Sequence, residues 1–308
     1  MSELTGKQKN LISQLDAMKK HCNEKSYKSR ARYYEATVRF CKFAADEFGL
    51  QKFANVSAKH IYSYVEYMKE KGLSPCTIES DLSGIRFFHR LSGGKNILPD
   101  NNKLHLEKRI VGAYDRAWLV GEIENAFWAA KEMGRTDIAI AIRIGERFGL
   151  RIEEICKLRV EYIQKAMQYE HLYTKGKGGR ERFIPAETRK QWELLSALSE
   201  YARKKGLHPG DYLISSIKKR GVEKEIKSIQ SWIRNHQEKF VDPSRMTKGK
   251  PGQKPKIERL TFHGLRHYYT QEIRKFLQAK NIKNVEKAVS ERLGHHRSAV
   301  TRIYEPEY

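Results

Sequence analysis

Two short stretches combine an arginine with a possible partner at helical spacing. In "TFHGLRHYYT", His263 and Arg266 are three residues apart, which places them on one face of a helix. In "GERFGLRIEEICKL", Arg151 follows Gly149 at a predicted junction of two helices, and Glu154 comes three positions later. A guanidinium offers a fork for two phosphate oxygens, and an imidazole exchanges protons with an oxyanion near neutral pH. Each motif alone is weak, because such pairs also occur by chance on helix surfaces.

A lysine and a C-terminal histidine and tyrosine add to this set. Lys177 stands between glycines in "TKGKGGRER", where it can reach an oxygen in a groove or simply face water. In "ERLGHHRSAVTRIYEPEY", His295 precedes Tyr304 by nine positions. Tyr304 is either a nucleophile or a packing residue. Tyr308 is the alternative nucleophile, but it follows a proline that breaks a helix.

Together these residues predict one reaction, the cleavage of a phosphodiester. Its equatorial oxygens gain negative charge in the transition state, so two arginines and two histidines would form an electrostatic clamp. A tyrosine would attack in line and form a 3′-phosphotyrosine, while a lysine protonates the departing 5′-oxygen. We expect no metal, because cationic side chains stabilise the charge. We expect no ATP, because the phosphotyrosine bond conserves the energy of the broken phosphodiester bond.

The charge of the chain favours a polyanionic partner. The 308 residues include 60 Lys and Arg against 37 Asp and Glu, a net charge of +23 with a pI near 9.8. General solubility rarely requires so uneven a balance, so nucleic acid is the better interpretation. Hydrophobic residues make up 39% of the chain. This is enough to form a buried core, and it argues against a disordered chain.

The cysteines and the absence of long apolar runs indicate an intracellular protein. Cys22, Cys41, Cys76 and Cys156 are scattered without a CxxC pair, which argues against a zinc site and against a disulfide framework. No apolar run reaches transmembrane length, and the polar start is unlike a signal peptide. We expect a soluble, cytoplasmic, nucleoid-associated protein.

The elements that must position the chemical residues fall into two groups. Apolar residues at helical spacing predict four short helices in the first hundred residues, with Gly49 as a stop and Ser57 and Ser74 or Thr77 as N-caps. The stretch 91–109 is rich in Gly, Pro, Asn and charge, typical of a linker. The fold class is therefore mainly α with a small β-sheet. The predicted domains are 1–100 (all-α), 101–112 (linker) and 113–308 (catalytic).

Beyond the linker the sequence predicts helices around one β-hairpin. Two helices are predicted within 117–158, the second breaking at Gly149, and "GKGG" is the predicted turn between two strands. Further helices are predicted at 187–204, about 224–240, 263–278 and 284–304. The basic stretch 243–259 is predicted to lack regular structure. It is either a solvated loop or an arm that contacts DNA phosphates, through Lys248, Lys250, Lys254 and Lys256.

The order "GLRIEE", "GKGGRER", "HGLRH", "LGHH" and Tyr304 closely resembles the tyrosine recombinases of the lambda-integrase and Xer class. The match runs over about 150–304, and the helical first hundred residues resemble that family's core-binding domain. By this resemblance, the catalytic residues are Arg151, Lys177, His263, Arg266, His295 and the nucleophile Tyr304, with Glu154 as the acidic support.

The resemblance implies a two-domain clamp around double-stranded DNA at specific sites. It also implies a tetramer that exchanges strands through a Holliday junction, without metal or other cofactor, to integrate, excise or resolve a mobile element or replicon. Two departures stand out: only "EPEY" follows Tyr304, where the family usually continues with a segment that docks on a neighbour, and no arm-site domain precedes the first hundred residues.

Three alternatives remain beside this interpretation. A zinc site could be built from His263, His267, His295 and His296, although no cysteine joins them. A DNA-binding protein without catalysis could share the fold, although Arg151, Lys177, Arg266 and Tyr304 are all present. A type IB topoisomerase or a telomere resolvase would keep the chemistry and change the outcome.

Overall fold

The chain separates into two compact units, Met1–Ile110 and Val111–Tyr308. The computed structural model describes residues 3–20, 24, 26–107, 115–176, 179, 181–247, 256–257 and 260–294. No helix within these residues is both long and apolar enough to cross a membrane. The domain limits given from the sequence, including a linker at 101–112, stay a prediction.

Every regular element among the described residues of the first unit is a helix. Its elements are α1 (Gly6–Lys20), α2 (Tyr27–Phe48), α3 (Ala58–Glu70), α4 (Pro75–Leu91) and short 3₁₀ helices at Phe53–Asn55 and Asn101–Leu104. The predicted ends follow ordinary capping chemistry: α2 stops at Gly49 with φ 60, and the Ser74 hydroxyl accepts from the Thr77 amide ahead of α4. Apolar residues of these helices form the core, among them Leu11, Leu15, Ile61, Leu82 and Ile85.

In the second unit, the described residues form helices around two short strand pairs. Its helices are α5 (Val120–Glu132), α6 (Thr136–Phe148), α7 (Ile152–Cys156), α8 (Val160–Tyr169), α9 (Arg189–Lys204), α10 (Ile217–Arg220), α11 (Val222–His236), α12 (His263–Ala279) and α13 (Val285–Leu293). Its strands are β1 (His171–Lys175), β2 (Glu181–Pro185), β3 (Met246–Thr247) and β4 (Lys256–Ile257). The mainly helical fold with a small sheet is confirmed. The sequence reading missed α8 and α10.

Helix α6 lies at the centre of this unit. Its consecutive residues Ile138 to Ile142 are all buried, because other elements cover the helix on more than one side. Gly145 lets α12 approach closely: a Cβ at this position would lie 3.1 Å from Leu265 Cδ1 and from Phe262 Cζ. The helix with the H-x-x-R motif is thus packed directly on the central helix.

The predicted hairpin is confirmed as the antiparallel pair β1 and β2. Its register pairs His171 with Pro185 and Lys175 with Glu181. Side chains alternate across the pair, so that Leu172 and Ile184 are buried while Phe183 is exposed. The hairpin packs against α8, which precedes it.

Two predictions about local structure were wrong in part. The basic stretch 243–259 does contain regular structure, since Pro243–Arg245 is a 3₁₀ helix and β3 pairs with β4. Residues able to pair as strands flank the Gly- and Pro-rich middle, and composition alone hid them. The helix predicted over 284–304 ends at Leu293, because Gly294 adopts a left-handed conformation with φ 65.

Candidate active site

Arg151 sits in the short turn between α6 and α7. Gly149 ends α6 with φ 60, Leu150 is buried as an anchor, and Arg151 is the N-cap of α7 in an extended conformation. Gly149 is also required by packing, since a Cβ there would lie 2.2 Å from Tyr269 Cδ1. The turn leaves the Arg151 side chain 35% exposed.

Glu154 lies in the first turn of α7 and holds this arginine. Its side chain is only 3% exposed. Oε2 accepts from the main-chain amide of Arg151 at 2.7 Å, and Oε1 accepts from Arg151 Nη1 at 3.0 Å. The carboxylate therefore satisfies a free helix N-terminal amide and orients the guanidinium at the same time.

The start of α12 is held by the segment just after residue 114. The Trp118 indole N–H donates to the Thr261 carbonyl at 2.9 Å. Gly264 makes room for this crossing, because a Cβ there would lie 2.4 Å from Trp118 Cδ1. His263 and Arg266 are consequently carried by a helix end that is fixed on one side by Trp118 and on the other by α6.

Arg266 points into the protein. Its guanidinium is 1% exposed, with Nη1 donating to the Gly149 carbonyl at 2.6 Å and Nη2 donating to the Leu293 carbonyl. Both carbonyls lie at helix C-termini, where the partial negative charge of the helix dipole favours a cation. Arg266 thereby joins the end of α6 to the end of α13.

Two histidines at the start of α12 are held in the neutral form. The pKa of His263 is lowered to about 4 by desolvation and by the charges of Arg266, Arg151 and Arg116, although the side chain stays accessible at the surface. Burial lowers the pKa of His267 to about 4 as well, with His263 next in effect. The two rings meet edge to face with centroids 5.3 Å apart. A neutral imidazole beside an arginine is a hydrogen-bond donor suited to a phosphate oxygen.

A cleft of about 540 Å³ opens beside Arg151 and His263. Its opposite wall is helix α11, which contributes Lys227, Gln230, Ser231 and Arg234. Arginine, lysine and neutral histidine around an open cleft fit a phosphate group. The structure thus brings Arg151, Glu154, His263 and Arg266 together from two segments more than a hundred residues apart in sequence.

The remaining predicted residues cannot be placed in this arrangement. Lys177, His295 and Tyr304 lie outside the described residues. The hairpin on either side of Lys177 is described up to Gly176 and from Glu181, with Gly179 in between. Of the basic stretch, Lys248, Lys250 and Lys254 also lie outside the described residues, and Lys256 is described only as part of strand β4.

The sequence reading missed Arg182, which reaches the same site from the hairpin. Arg182 is 7% exposed on the buried face of β2; its Nη2 donates to Glu154 Oε2 at 2.8 Å, and its Nη1 donates to the Leu293 carbonyl at 2.6 Å. The alternation of side chains along the strand could have indicated that Arg182 is buried, because Arg182 lies on the same face as the buried Ile184. A charged residue at an inward position needs a buried partner.

Within the described part of the chain, no three His, Cys, Asp or Glu side chains are clustered so that they could hold a metal ion. The zinc alternative draws on His295 and His296 as well as His263 and His267. Two of these four lie outside the described residues, so the alternative stays untested.

Comparison with known proteins places both units in one group of sequences. Residues 121–307 match the model of the "Phage integrase family", and residues 15–92 match the model "Phage integrase, N-terminal SAM-like domain". The first match contains Arg151, Lys177, His263, Arg266, His295 and Tyr304.

Individual relatives are distant. The chain is 25% identical over 170 residues to tyrosine recombinase XerC of Bacillus pumilus (strain SAFR-032), a match that covers 53% of this chain and 54% of that protein. A lambda integrase dimer bound to a COC′ core site has a TM-score of 0.62 at 16% identity, covering 97% of this chain and 79% of that one. A lambda integrase tetramer bound to a Holliday junction has a TM-score of 0.60 at 17% identity, covering 96% and 78%. At these identities the two structures share the fold with this chain.

Proposed function

Because the chain belongs to the phage integrase family, the tyrosine recombinases, we propose that it is a site-specific recombinase acting on duplex DNA. In this proposal it cleaves and rejoins DNA strands through a 3′-phosphotyrosine intermediate formed on Tyr304. The substrates are specific recombination sites, and the outcome is integration, excision or resolution of a mobile element or replicon.

One observation carries the proposal. Arg151 and His263 line the same cleft, and Arg151 is held by the buried carboxylate of Glu154. This is a pre-organised cationic site, and pre-organised charge is what stabilises a phosphoryl transition state. The net charge of +23 supports a polyanionic substrate for it.

The proposed cleavage step is an in-line displacement at phosphorus. The Tyr304 oxygen forms a bond to phosphorus while the bond to the 5′-oxygen breaks. Lys177 gives a proton to the departing 5′-oxygen, and the phenolic proton passes to an imidazole of the site. Arg151, His263 and His295 stabilise the charge on the non-bridging oxygens, and the buried Arg266 adds positive charge close to His263. Attack of a 5′-hydroxyl on the phosphotyrosine reverses the step and rejoins a strand.

The proposed working form is a tetramer on two DNA sites in the cytoplasm, at the nucleoid. The comparison with a lambda integrase tetramer on a Holliday junction supports this at the level of the fold. Four active sites on two duplexes are also what a reaction that exchanges all four strands requires. Mass photometry with one and with two DNA sites tests the assembly.

The decisive experiment traps the covalent intermediate. Duplex DNA selected by binding to the purified protein is given a nick beside the scissile phosphate, so that the cleaved fragment diffuses away and cannot religate. We expect wild-type protein to accumulate a covalent protein–DNA adduct, Tyr304→Phe to bind DNA and form none, and Tyr308→Phe to form it as wild type does. An adduct on Tyr304→Phe contradicts the assignment of the nucleophile.

The same DNA separates recombination from the alternatives. On plasmids with one or two copies of the selected site, a recombinase inverts or deletes the segment between two copies. A type IB topoisomerase relaxes either plasmid at the same rate, a telomere resolvase produces hairpin ends from one copy, and a non-catalytic DNA-binding protein changes neither.

A further inference from the structure

The buried arginine of the hairpin, Arg182, is the unexplained feature of the site. Its guanidinium is 7% exposed and is shared between the Glu154 carboxylate and the Leu293 carbonyl. It is separate from the two arginines predicted from the motifs, Arg151 and Arg266. It comes from a different element, strand β2.

A buried guanidinium is retained only where its partners compensate for lost hydration. Burial lowers the pKa of Arg182 to about 10, with the Glu154 charge acting in the opposite direction and Arg266 and Arg151 adding to the decrease. Arg182 therefore stays protonated at neutral pH. The charges of Arg151 and Arg266 oppose that of Arg182, so a residue needed only to fill the core would be better apolar. Its presence indicates a use beyond packing.

The first use is to fix Arg151. Glu154 Oε2 accepts from Arg182 Nη2 at 2.8 Å and from the Arg151 amide at 2.7 Å, while Oε1 accepts from Arg151 Nη1 at 3.0 Å. Arg151 alone gives each carboxylate oxygen one donor. Arg182 adds a second donor to Oε2, which further restricts the last torsion of Glu154 and keeps Oε1 on the Arg151 guanidinium.

The second use is to fix Arg266 and the end of α13. The Leu293 carbonyl accepts from Arg182 Nη1 at 2.6 Å and also from Arg266 Nη2. The next residue, Gly294, packs on the stem of Arg182: a Cβ there would lie 2.9 Å from Arg182 Cδ. A side chain at position 294, where α13 ends immediately before His295, would therefore collide with Arg182.

We propose that Arg182 is a positioning residue for DNA cleavage, setting Arg151 through Glu154 and Arg266 through the Leu293 carbonyl from one buried guanidinium. The inference rests on the proposed recombinase function. It assigns a role to β2: through Arg182, the strand fixes Arg151 and Arg266 relative to each other. Affinity for DNA is not part of this role, since Arg182 does not reach the surface.

The test compares Arg182→Lys with wild type in three measurements. Thermal unfolding reports the fold, anisotropy reports the dissociation constant for uncut DNA, and single-turnover adduct formation on the nicked substrate at saturating protein reports the chemical step. A lysine keeps the charge but reaches only one of the two acceptors. We expect the dissociation constant to stay within about threefold, because surface phosphate contacts supply affinity. We expect the adduct rate to fall about 100-fold, because misplacing transition-state groups by about 1 Å has that effect.

Arg143→Lys is the matched control. Arg143, on the central helix α6, is also largely buried, with a side chain 17% exposed. It pairs with Glu124 of α5 at 2.7 Å and with Glu146 of α6 at 3.0 Å. We expect it to lower the melting temperature as Arg182→Lys does and to leave the adduct rate within about threefold of wild type, as for a structural pair away from the chemistry. Equal loss of adduct rate in the two variants would show that Arg182 is merely structural.

The route of action is tested by two further measurements. When sulfur replaces the bridging 5′-oxygen of the DNA, the leaving group departs as a thiolate and needs no proton donor. The adduct rate of Lys177→Ala should therefore recover on this substrate, and that of Arg182→Lys should not. Recovery of Arg182→Lys would assign its effect to Lys177 and overturn the route through Arg151 and Arg266. In ¹⁵N relaxation spectra of arginine-labelled protein, the Arg151 Nε–H should become more mobile in Arg182→Lys and unchanged in Arg143→Lys.

Two outcomes separate this inference from the proposed function. If wild-type protein forms no adduct on any selected DNA, the recombinase proposal fails and the positioning role fails with it. If wild type is active and Arg182→Lys retains its adduct rate, the recombinase proposal stands and the positioning role alone is wrong. Should Arg182→Lys not fold, Arg182→Gln, which can still donate to Glu154, takes its place under the same criteria.

Discussion

Glu154 holds Arg151 from two sides, accepting its main-chain amide at 2.7 Å and its Nη1 at 3.0 Å. The first bond fixes where the chain enters α7, and the second fixes where the guanidinium points. Because both acceptors belong to one buried carboxylate, backbone and side chain of Arg151 cannot move independently.

Glu154→Gln should therefore damage both stability and chemistry. The amide keeps one acceptor oxygen but turns an N–H₂ group toward a guanidinium, either Arg151 or Arg182. We expect the free energy of unfolding to fall by about 3 kcal/mol, as for breaking a buried ion pair from one side. We also expect the adduct rate to fall about 100-fold through the misplaced guanidinium. Urea denaturation measures the free energy of unfolding, and single-turnover cleavage of the nicked substrate measures the adduct rate.

Glu153→Gln is the control for that prediction. Glu153 is the preceding residue of the same helix, 48% exposed and paired with Lys157 at 2.7 Å. An exposed pair contributes about 0.5 kcal/mol. A stability loss as large as that of Glu154→Gln would show that the effect belongs to helix α7 as a whole and not to the buried carboxylate.

Gly149→Ala should be strongly destabilising for two separable reasons. Gly149 has φ 60, and an added Cβ would lie 2.2 Å from Tyr269 Cδ1. The left-handed conformation costs about 1–2 kcal/mol for a residue with a Cβ. The collision with a buried ring adds about 1–3 kcal/mol, as overpacking does. Urea denaturation gives the total.

Gly134→Ala isolates the first of these effects. Gly134 also follows a helix, has φ 68, and has nothing within 4 Å of an added Cβ. We expect it to lower the free energy of unfolding by about 1–2 kcal/mol only. Equal losses at the two positions would mean that Tyr269 moves aside without effect.

The sequence predicted the local features of this site and not its tertiary contacts. Helical spacing correctly put His263 and Arg266 on one helix, and it correctly marked Gly149 as a break, because both are local properties of the chain. Spacing did not reveal that Arg266 turns inward to the carbonyls of Gly149 and Leu293. That depends on two helix ends distant in sequence meeting at one guanidinium.

Arg182 shows that a buried charge also depends on partners that are distant in sequence. Strand alternation places it inward beside Ile184, yet a buried arginine becomes intelligible only with its partners. Glu154 lies 28 positions away and Leu293 lies 111 positions away. In the same way, helical spacing predicts a helix that continues through Gly294, yet α13 ends at Leu293. Its left-handed conformation and its packing on Arg182 are tertiary features that periodicity does not register.

The buried histidine of the H-x-x-R helix should make stability depend on pH. The pKa of His267 is lowered from 6.5 to about 4, so the folded protein keeps the ring neutral while the unfolded chain protonates it. The stabilisation is complete above about pH 6.5 and is lost as pH falls toward 4. Between pH 7 and pH 4, we expect wild type to lose about 3 kcal/mol more than His267→Gln. Parallel stability curves for the two proteins would contradict this prediction.

The two arginines predicted as a pair should behave differently when removed. Arg151 has a side chain that is 35% exposed and lines the cleft, whereas Arg266 is 1% exposed between two carbonyls. Arg151→Ala should leave the fold intact and abolish adduct formation. It should reduce the slope of log affinity against log salt by at most about one unit, as for a single phosphate contact.

Arg266→Ala should instead lower the free energy of unfolding by about 2–4 kcal/mol, because it leaves the Gly149 carbonyl without its charged donor and removes one of the two donors to the Leu293 carbonyl. Its salt slope should match that of wild type under conditions where the variant is folded, since a buried guanidinium displaces no counterion from DNA. Anisotropy across a salt series and urea denaturation of both variants give these quantities. If Arg266→Ala is as stable as wild type and loses a unit of salt slope, its guanidinium turns outward to the phosphate, and the inward hydrogen bonds do not describe the DNA-bound protein.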